Sequence, residues 1–312
     1  MWGWQQDKVR MRTLLLGKNG QVGWELQRSL APLGELVALD RNSQTHCGDL
    51  SNLQGIIQTV HDVKPDVIVN AAAYTAVDKA EADFAQADLI NHQAPAVLAK
   101  AAKDCGAWLV HYSTDYVFDG SGNQAWCETD SVNPVSVYGQ TKLAGEQAIQ
   151  ASGCLHLIFR TSWVYAARGH NFAKTMLRLA REREQLSVIN DQIGVPTGAE
   201  LLADVTVHCL RVALHRAAVS GIYHLAAADE TSWYDYAKYV LAFARRNGTE
   251  LKVAEQAILP IPTTAYPTPA KRPLNSRLNT DKLQNTFDLC LPGWQIGVER
   301  MLNEFLESQV SA

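Results

Sequence analysis

The stretch over residues 13–30 constrains the fold more than any other. Thr13-Leu14-Leu15-Leu16 is a short apolar run that ends in Gly17-Lys18-Asn19-Gly20-Gln21-Val22-Gly23, and residues 24–30 then carry helical spacing. The order is strand, glycine turn, helix, with Gly17, Gly20 and Gly23 three residues apart. Such a turn lets backbone N–H groups approach a pyrophosphate while a helix N-terminus faces the negative charge. Gly23 lets the helix pack against the strand. The spacing is GxxGxxG rather than GxGxxG, and taken alone it also describes a plain tight turn between strand and helix. A second apolar run, residues 36–39, ends at Asp40, where an acid would hold a ribose 2′-hydroxyl. That carboxylate favours NAD. Arg41 beside it and Lys18 in the turn leave NADP open, although both also read as exposed turn cations.

The alternation of short apolar runs and helical patterns continues along the chain. Strand patterns fall at 66–70, 107–112, 155–160, 186–189 and 222–225, with helical patterns near 84–103, 171–183 and 199–215. Repeated alternation predicts an α/β fold, a Rossmann-type doubly wound parallel sheet. Ser51 is a plausible cap for a helix after Cys47-Gly48-Asp49-Leu50. From about Thr249 the texture becomes Pro-rich but keeps apolar residues, as in residues 258–262 and 265–273, which reads as an ordered loop over the substrate side. Lys271 and Arg272 there can meet a diphosphate, or form a solvated charge pair. We expect residues 1–10 to be an N-terminal extension without catalytic role and 11–165 to form the dinucleotide domain, with returning elements about 185–225. Residues 226–312, with contributions from about 161–184, are expected to form a smaller substrate-binding domain.

The chemistry is carried by Tyr138-Gly139-Gln140-Thr141-Lys142. Residues four apart share one helix face. A phenol alone gives up its proton only near pH ~10, and a neighbouring ammonium lowers that value. Tyr and Lys at this spacing also occur by chance on many amphipathic helices. Here Ser113-Thr114-Asp115 stands at a strand end upstream, where ligands of open parallel sheets sit and where hydroxyls can reach the same oxygen as Tyr138. Trp163, past the next strand end, reads as a wall for a sugar face or as a core indole.

Bulk properties exclude several classes. A net charge of −4 over 312 residues argues against a general nucleic-acid or membrane-surface binder, and no apolar run is long enough to cross a bilayer. The six cysteines are scattered without a CxxC, which reads as reduced thiols in a cytoplasmic protein.

Gly17-x-x-Gly20-x-x-Gly23, Asn70-Ala71-Ala72-Ala73, Ser113-Thr114-Asp115 and Tyr138-x-x-x-Lys142 occur in that order. Together with residues 160–165 and the Pro-rich stretch they resemble the extended short-chain dehydrogenase/reductases that act on nucleotide sugars. The resemblance implies an oxidoreductase that uses NADPH or NADH to reduce the C4 ketone of a dTDP-sugar. It implies Tyr138, Lys142 and Thr114 as catalytic residues. It assigns the cofactor to Gly17, Gly20, Gln21, Val22, Gly23, Asp40, Asp49, Leu50, Ala72, Ala73, Tyr74, Thr75 and Tyr112, besides Tyr138 and Lys142. Thr114, Asp115 and Trp163 would contact the sugar. It also implies a homodimer, with a possible magnesium ion between subunits on Glu25, Glu200 and Glu304. Related dehydratases carry Glu where Tyr116 follows Asp115, so reduction is favoured over dehydration. An epimerase, and a non-catalytic NADP-binding regulatory subunit like that of methionine adenosyltransferase, stay open as alternatives.

Overall fold

The computed structural model describes residues 11–310; the expected N-terminal extension lies outside the described residues. Six strands form one parallel sheet: β1 (Met11–Leu16), β2 (Gly34–Leu39), β3 (Val67–Asn70), β4 (Trp108–Thr114), β5 (His156–Thr161) and β6 (Gly221–His224), in the order β6-β5-β4-β3-β1-β2. The order reverses between β1 and β3, and ligands of open sheets bind at the carboxyl ends of strands beside that point. Register places Leu16 beside Asn70, Asn70 beside His111, and Thr114 beside Thr161.

The apolar runs are continuous rather than alternating because helices cover both faces. Leu15, Val67, Val69 and Val110 pack with α1 (Gln21–Leu30) on one side. Leu14, Leu16, Ile68 and Leu109 pack on the other with α2 (Leu53–Val63), α3 (Ala94–Cys105) and α4 (Val137–Ser152). A third core gathers around α5 (Phe172–Glu182), with Met176 and Leu177 buried. The helix α6 (Ala199–Ala213) returns to cover the sheet beside α1. Then α7 (Trp233–Arg246) and α8 (Trp294–Val310) complete the third core through Tyr236, Val240, Trp294 and Val298.

Local chemistry sets the boundaries. Ser136 accepts from the Gly139 N–H at 3.2 Å and so starts α4 one residue before Tyr138's turn. Asn52, not Ser51, caps α2, accepting from Gly55 N–H at 2.9 Å; Ser51 instead donates to Asp49. The helical pattern near 84–103 is interrupted. Phe84–Asp88 is followed by a π-helical turn, Leu89–Gln93, before α3 begins. Pro95 has no N–H to offer the Asn91 carbonyl. That carbonyl lies against Gly145 of α4, where an added Cβ would stand 2.2 Å from it. Residues Leu186–Ile189 do not join the main sheet as expected. They pair in parallel with Ile258–Ile261 and drive Leu186 and Val188 into the third core. No helix among the described residues is long and apolar enough to cross a membrane.

Candidate active site

The glycine turn is built by backbone constraint. Gly17 has φ +88°, a region that favours glycine, and a Cβ there would lie 2.8 Å from Ala72 N. A Cβ on Gly23 would lie 2.0 Å from Gly17 O, so this glycine seals α1 onto the turn. Gly20 differs: its Cβ would meet only Gly17 O, at 3.4 Å, which leaves open ground before the helix N-terminus. Gly20 is also the N-cap and supplies no side-chain acceptor to the first N–H groups of α1. An unfilled cradle at an uncapped helix start fits a dinucleotide pyrophosphate. Gln21 opens the helix with its Oε1 buried and unpaired among the described residues, while Val22 packs into the core.

Thr114 ends β4 and Tyr138 lies in the first turn of α4. The two are joined through Tyr116, whose N–H donates to Thr114 Oγ1 and whose ring packs edge-on against Tyr138. Burial pushes the Tyr138 phenol up to about 12. Thr114 Oγ1 donates to Asp115 Oδ1 at 3.1 Å and accepts from Tyr116 N–H at 3.2 Å, capping a 3-10 turn over Asp115–Val117. Ser113 does not share this role. Successive strand residues face opposite sides, and Ser113 Oγ is buried with no partner among the described residues. Asp115 is 2% exposed, burial raises its carboxyl to about 6, and its Oδ2 is buried without a hydrogen-bond partner among the described residues. Tyr116 stacks edge-on against Tyr138 at 5.5 Å, so no second acid stands there.

Lys142 is 1% exposed. Its Nζ donates to Tyr112 O at 2.6 Å and lies 3.1 Å from His111 Nε2. Burial lowers it to about 8, with Glu146 acting in the other direction. The amino group is therefore directed at β4. Asn91 braces the loop after β3. Its amide accepts from Tyr74 N–H at 2.9 Å and donates to Tyr74 O at 3.1 Å and Thr141 Oγ1 at 3.2 Å. Neither His111 nor Asn91 was singled out from sequence. For Asn91 the available signal was Pro95, four residues on within a helical pattern.

On the substrate side, Trp163 has φ +47° and stacks on Trp233 with ring centroids 3.5 Å apart. Gly194 fits between Trp163 and Ser276; a Cβ there would lie 2.8 Å from the Trp163 ring. The Pro-rich segment is ordered. Asn275 donates to Ser121 O and Gln124 O, and Ser276 N–H donates to Ile193 O. Arg272 pairs with Asp78 at 2.7 Å, so its charge is engaged within the chain.

Several expected residues present something other than the expected group. Tyr112 turns its phenol away to Thr206 Oγ1 at 2.7 Å and offers the site its carbonyl. Tyr74 OH donates to Asp83 at 3.2 Å, and Ala72 N–H donates to Asn70. Ala73 and Thr75 are exposed along the same loop. Asp40 stands at the end of β2, but its carboxylate closes its own turn through Ser43 and Asn42 and meets Asn19. Asp49 is held by Ser51, and Leu50 is buried in the core. Glu25 and Glu200 each face an arginine, Arg28 and Arg300, both at 3.6 Å. Burial raises Glu200, with further contributions from Glu25 and Glu304. Among the described residues no three His, Cys, Asp or Glu side chains are placed to hold a metal, so one chain alone does not fit the expected magnesium.

Residues 11–307 match the family described as RmlD substrate binding domain. The dTDP-4-dehydrorhamnose reductase of Escherichia coli (strain K12) is 61% identical over 294 residues, which cover 94% of this chain and 98% of that one. A crystal structure of a dTDP-4-dehydrorhamnose reductase from Clostridium acetobutylicum superposes with a TM-score of 0.85 at 34% identity, covering 95% of this chain and all of that one. The Bacillus anthracis enzyme of the same name, crystallised in complex with NADP, gives a TM-score of 0.84 at 34% identity, over 95% and 100% of the two chains. By sequence along nearly its whole length and by fold, the chain belongs to the dTDP-4-dehydrorhamnose reductase family of extended short-chain dehydrogenase/reductases.

Proposed function

We propose that the chain reduces the C4 ketone of dTDP-4-dehydro-β-L-rhamnose to dTDP-L-rhamnose with NADPH or NADH, for rhamnose-containing surface polysaccharide. The observation that carries this reading is the placement of Thr114 at the carboxyl end of β4 and of Tyr138 in the first turn of α4, linked through Tyr116. The cofactor, when bound, supplies hydride to the carbonyl carbon. The backbone from Gly20 to Val22 would hold its pyrophosphate, and Lys142 its nicotinamide ribose. Tyr138 donates its proton to the carbonyl oxygen as negative charge develops there, and Thr114 orients that phenol and shares the load on the oxygen. Asp115 and Trp163 hold the sugar.

Tyr116 at the position of a dehydratase acid supports reduction over dehydration. The test is loss of reduced-nicotinamide absorbance when the keto sugar is added, with the product identified by NMR. No consumption of either cofactor, or a product with an intact ketone, would overturn the reading. A cytoplasmic homodimer belongs to the same proposal. Ile296 is an exposed large apolar residue beside Glu200 and Arg300, which supports a partner there. Light scattering with and without EDTA tests both the dimer and any shared magnesium.

A further inference from the structure

Thr114 and Thr161 are register partners at the carboxyl ends of β4 and β5. Successive strand residues alternate between faces, so Thr161 shares a face with Phe159 and Thr114 shares one with Tyr112. Phe159 and Tyr112 both pack in the core that α1 and α6 cover. The two hydroxyls thus belong to the side of the sheet on which the glycine turn leads into its helix. Their hydrogen bonds differ. Thr114 Oγ1 donates to Asp115 and accepts from Tyr116 N–H, so it is engaged within the chain. Thr161 is 7% exposed, and its Oγ1 is buried with no partner among the described residues. A buried hydroxyl without a partner is costly to keep. Ser162, the next residue, is already used, donating to Val195 O at 3.1 Å.

The surroundings narrow the choice of partner. Val22 at the start of α1, Ala71 after β3 and Val164 after β5 are half-buried and pack against the same core at this carboxyl edge. An apolar rim with one free hydroxyl suits a flat ring that carries a single polar group. A sugar, with hydroxyls on most of its carbons, needs more donors and acceptors than this side offers. We propose that Thr161 is a positioning residue for the cofactor, its hydroxyl bonding the carboxamide of the nicotinamide ring. The inference deepens the reading above and rests on a nicotinamide cofactor lying along this edge. A carboxamide has an oxygen that accepts and an NH2 that donates, and a threonine hydroxyl serves either. The bond keeps the ring from turning about its glycosidic link, so one face stays toward the ketone.

The experiment compares Thr161→Val and Thr161→Ser with wild type in the full chain. Without cofactor, Thr161→Val should melt at or above the wild-type temperature, because it removes a polar group that has no partner to lose. In fluorescence titrations Thr161→Val should bind NADPH about three- to tenfold more weakly, the loss of one neutral hydrogen bond. Thr161→Ser keeps the hydroxyl and should restore the affinity. The control ligand is 2′-phospho-ADP-ribose, which has both riboses and the pyrophosphate but no nicotinamide ring. Wild type and Thr161→Val should bind it equally, and KM for the keto sugar should not change. The inference is overturned if Thr161→Val binds NADPH as wild type does, if it loses as much affinity for the ligand without the ring, or if only the KM of the sugar rises. A wild-type chain that binds no nicotinamide cofactor would overturn it together with the reading above, so the two failures are told apart by wild-type binding.

Discussion

Gly20 and Gly23 lie three residues apart in one turn, yet the structure assigns them opposite costs on substitution. In Gly23→Ala the new methyl would sit 2.0 Å from Gly17 O and 2.7 Å from Gly17 C. Both are backbone atoms, and Gly17 N is itself bonded to Leu39 O at 2.9 Å. The turn must shift by about 1 Å or more to clear the contact, and forced shifts of this kind cost about 1–3 kcal/mol or more. Alanine's better helix propensity returns at most about 1 kcal/mol. A net loss of about 2 kcal/mol corresponds to a melting-point drop of about 3 °C in a chain of 312 residues. In Gly20→Ala the backbone, φ −70° and ψ 167°, suits any residue, and the methyl has one neighbour at 3.4 Å. Its stability should stay within about 1 kcal/mol of wild type. The methyl instead occupies the ground before the helix N-terminus, so affinity for NADPH should fall at least about tenfold, about 1.4 kcal/mol. Thermal unfolding without cofactor and fluorescence titration with NADPH separate the two effects. A Gly20→Ala variant that binds NADPH normally, or melts as low as Gly23→Ala, would refute the assignment of that ground to pyrophosphate.

Three further outcomes follow from the site. Tyr138→Phe removes the proton donor while leaving the ring packed on Tyr116, so kcat should fall about 10²–10⁴-fold with NADPH affinity retained; stopped-flow turnover and equilibrium binding check this. The buried pair of Arg160 and Glu146, whose side chains are 4% and 1% exposed, makes Arg160→Leu cost about 3–5 kcal/mol, with the double replacement by Leu milder, measured by urea unfolding. Asp115 is raised to about 6 in the fold from an ordinary value near ~3.9. Its ionisation then destabilises the fold fully above that raised value and not at all below the ordinary one. Asp115→Asn should accordingly gain up to about 2–3 kcal/mol at pH ~8 and nothing near pH ~4; a gain independent of pH would contradict the burial argument.

Much of the fold was legible because its determinants are local. Largely apolar runs of four to six residues marked every strand of the main sheet, and the glycine turn marked where a cofactor could enter. Leu186–Ile189 shows the limit. Its pattern says strand but carries no information on which strand it pairs with, and its partner, Ile258–Ile261, lies far along the chain. In the site, Tyr138 and Lys142 declared themselves by helical spacing. His111 did not, because a lone histidine inside an apolar strand pattern reads as core until its neighbour across the register is known. Asp40, placed by its position after β2, turned out to close its own turn, a choice made by Asn19, Asn42 and Ser43 rather than by strand pattern.

The stacked indoles of Trp163 and Trp233 have an optical consequence. Trp163 lies just after β5, and Trp233 begins a helix of the third core, so the pair bridges the main sheet and the sugar-side layer. Rings this close share their excited states, and their combined near-ultraviolet circular dichroism depends steeply on separation and tilt. The chain therefore carries its own unlabelled gauge of how those two layers sit against each other, readable in solution as the keto sugar is added.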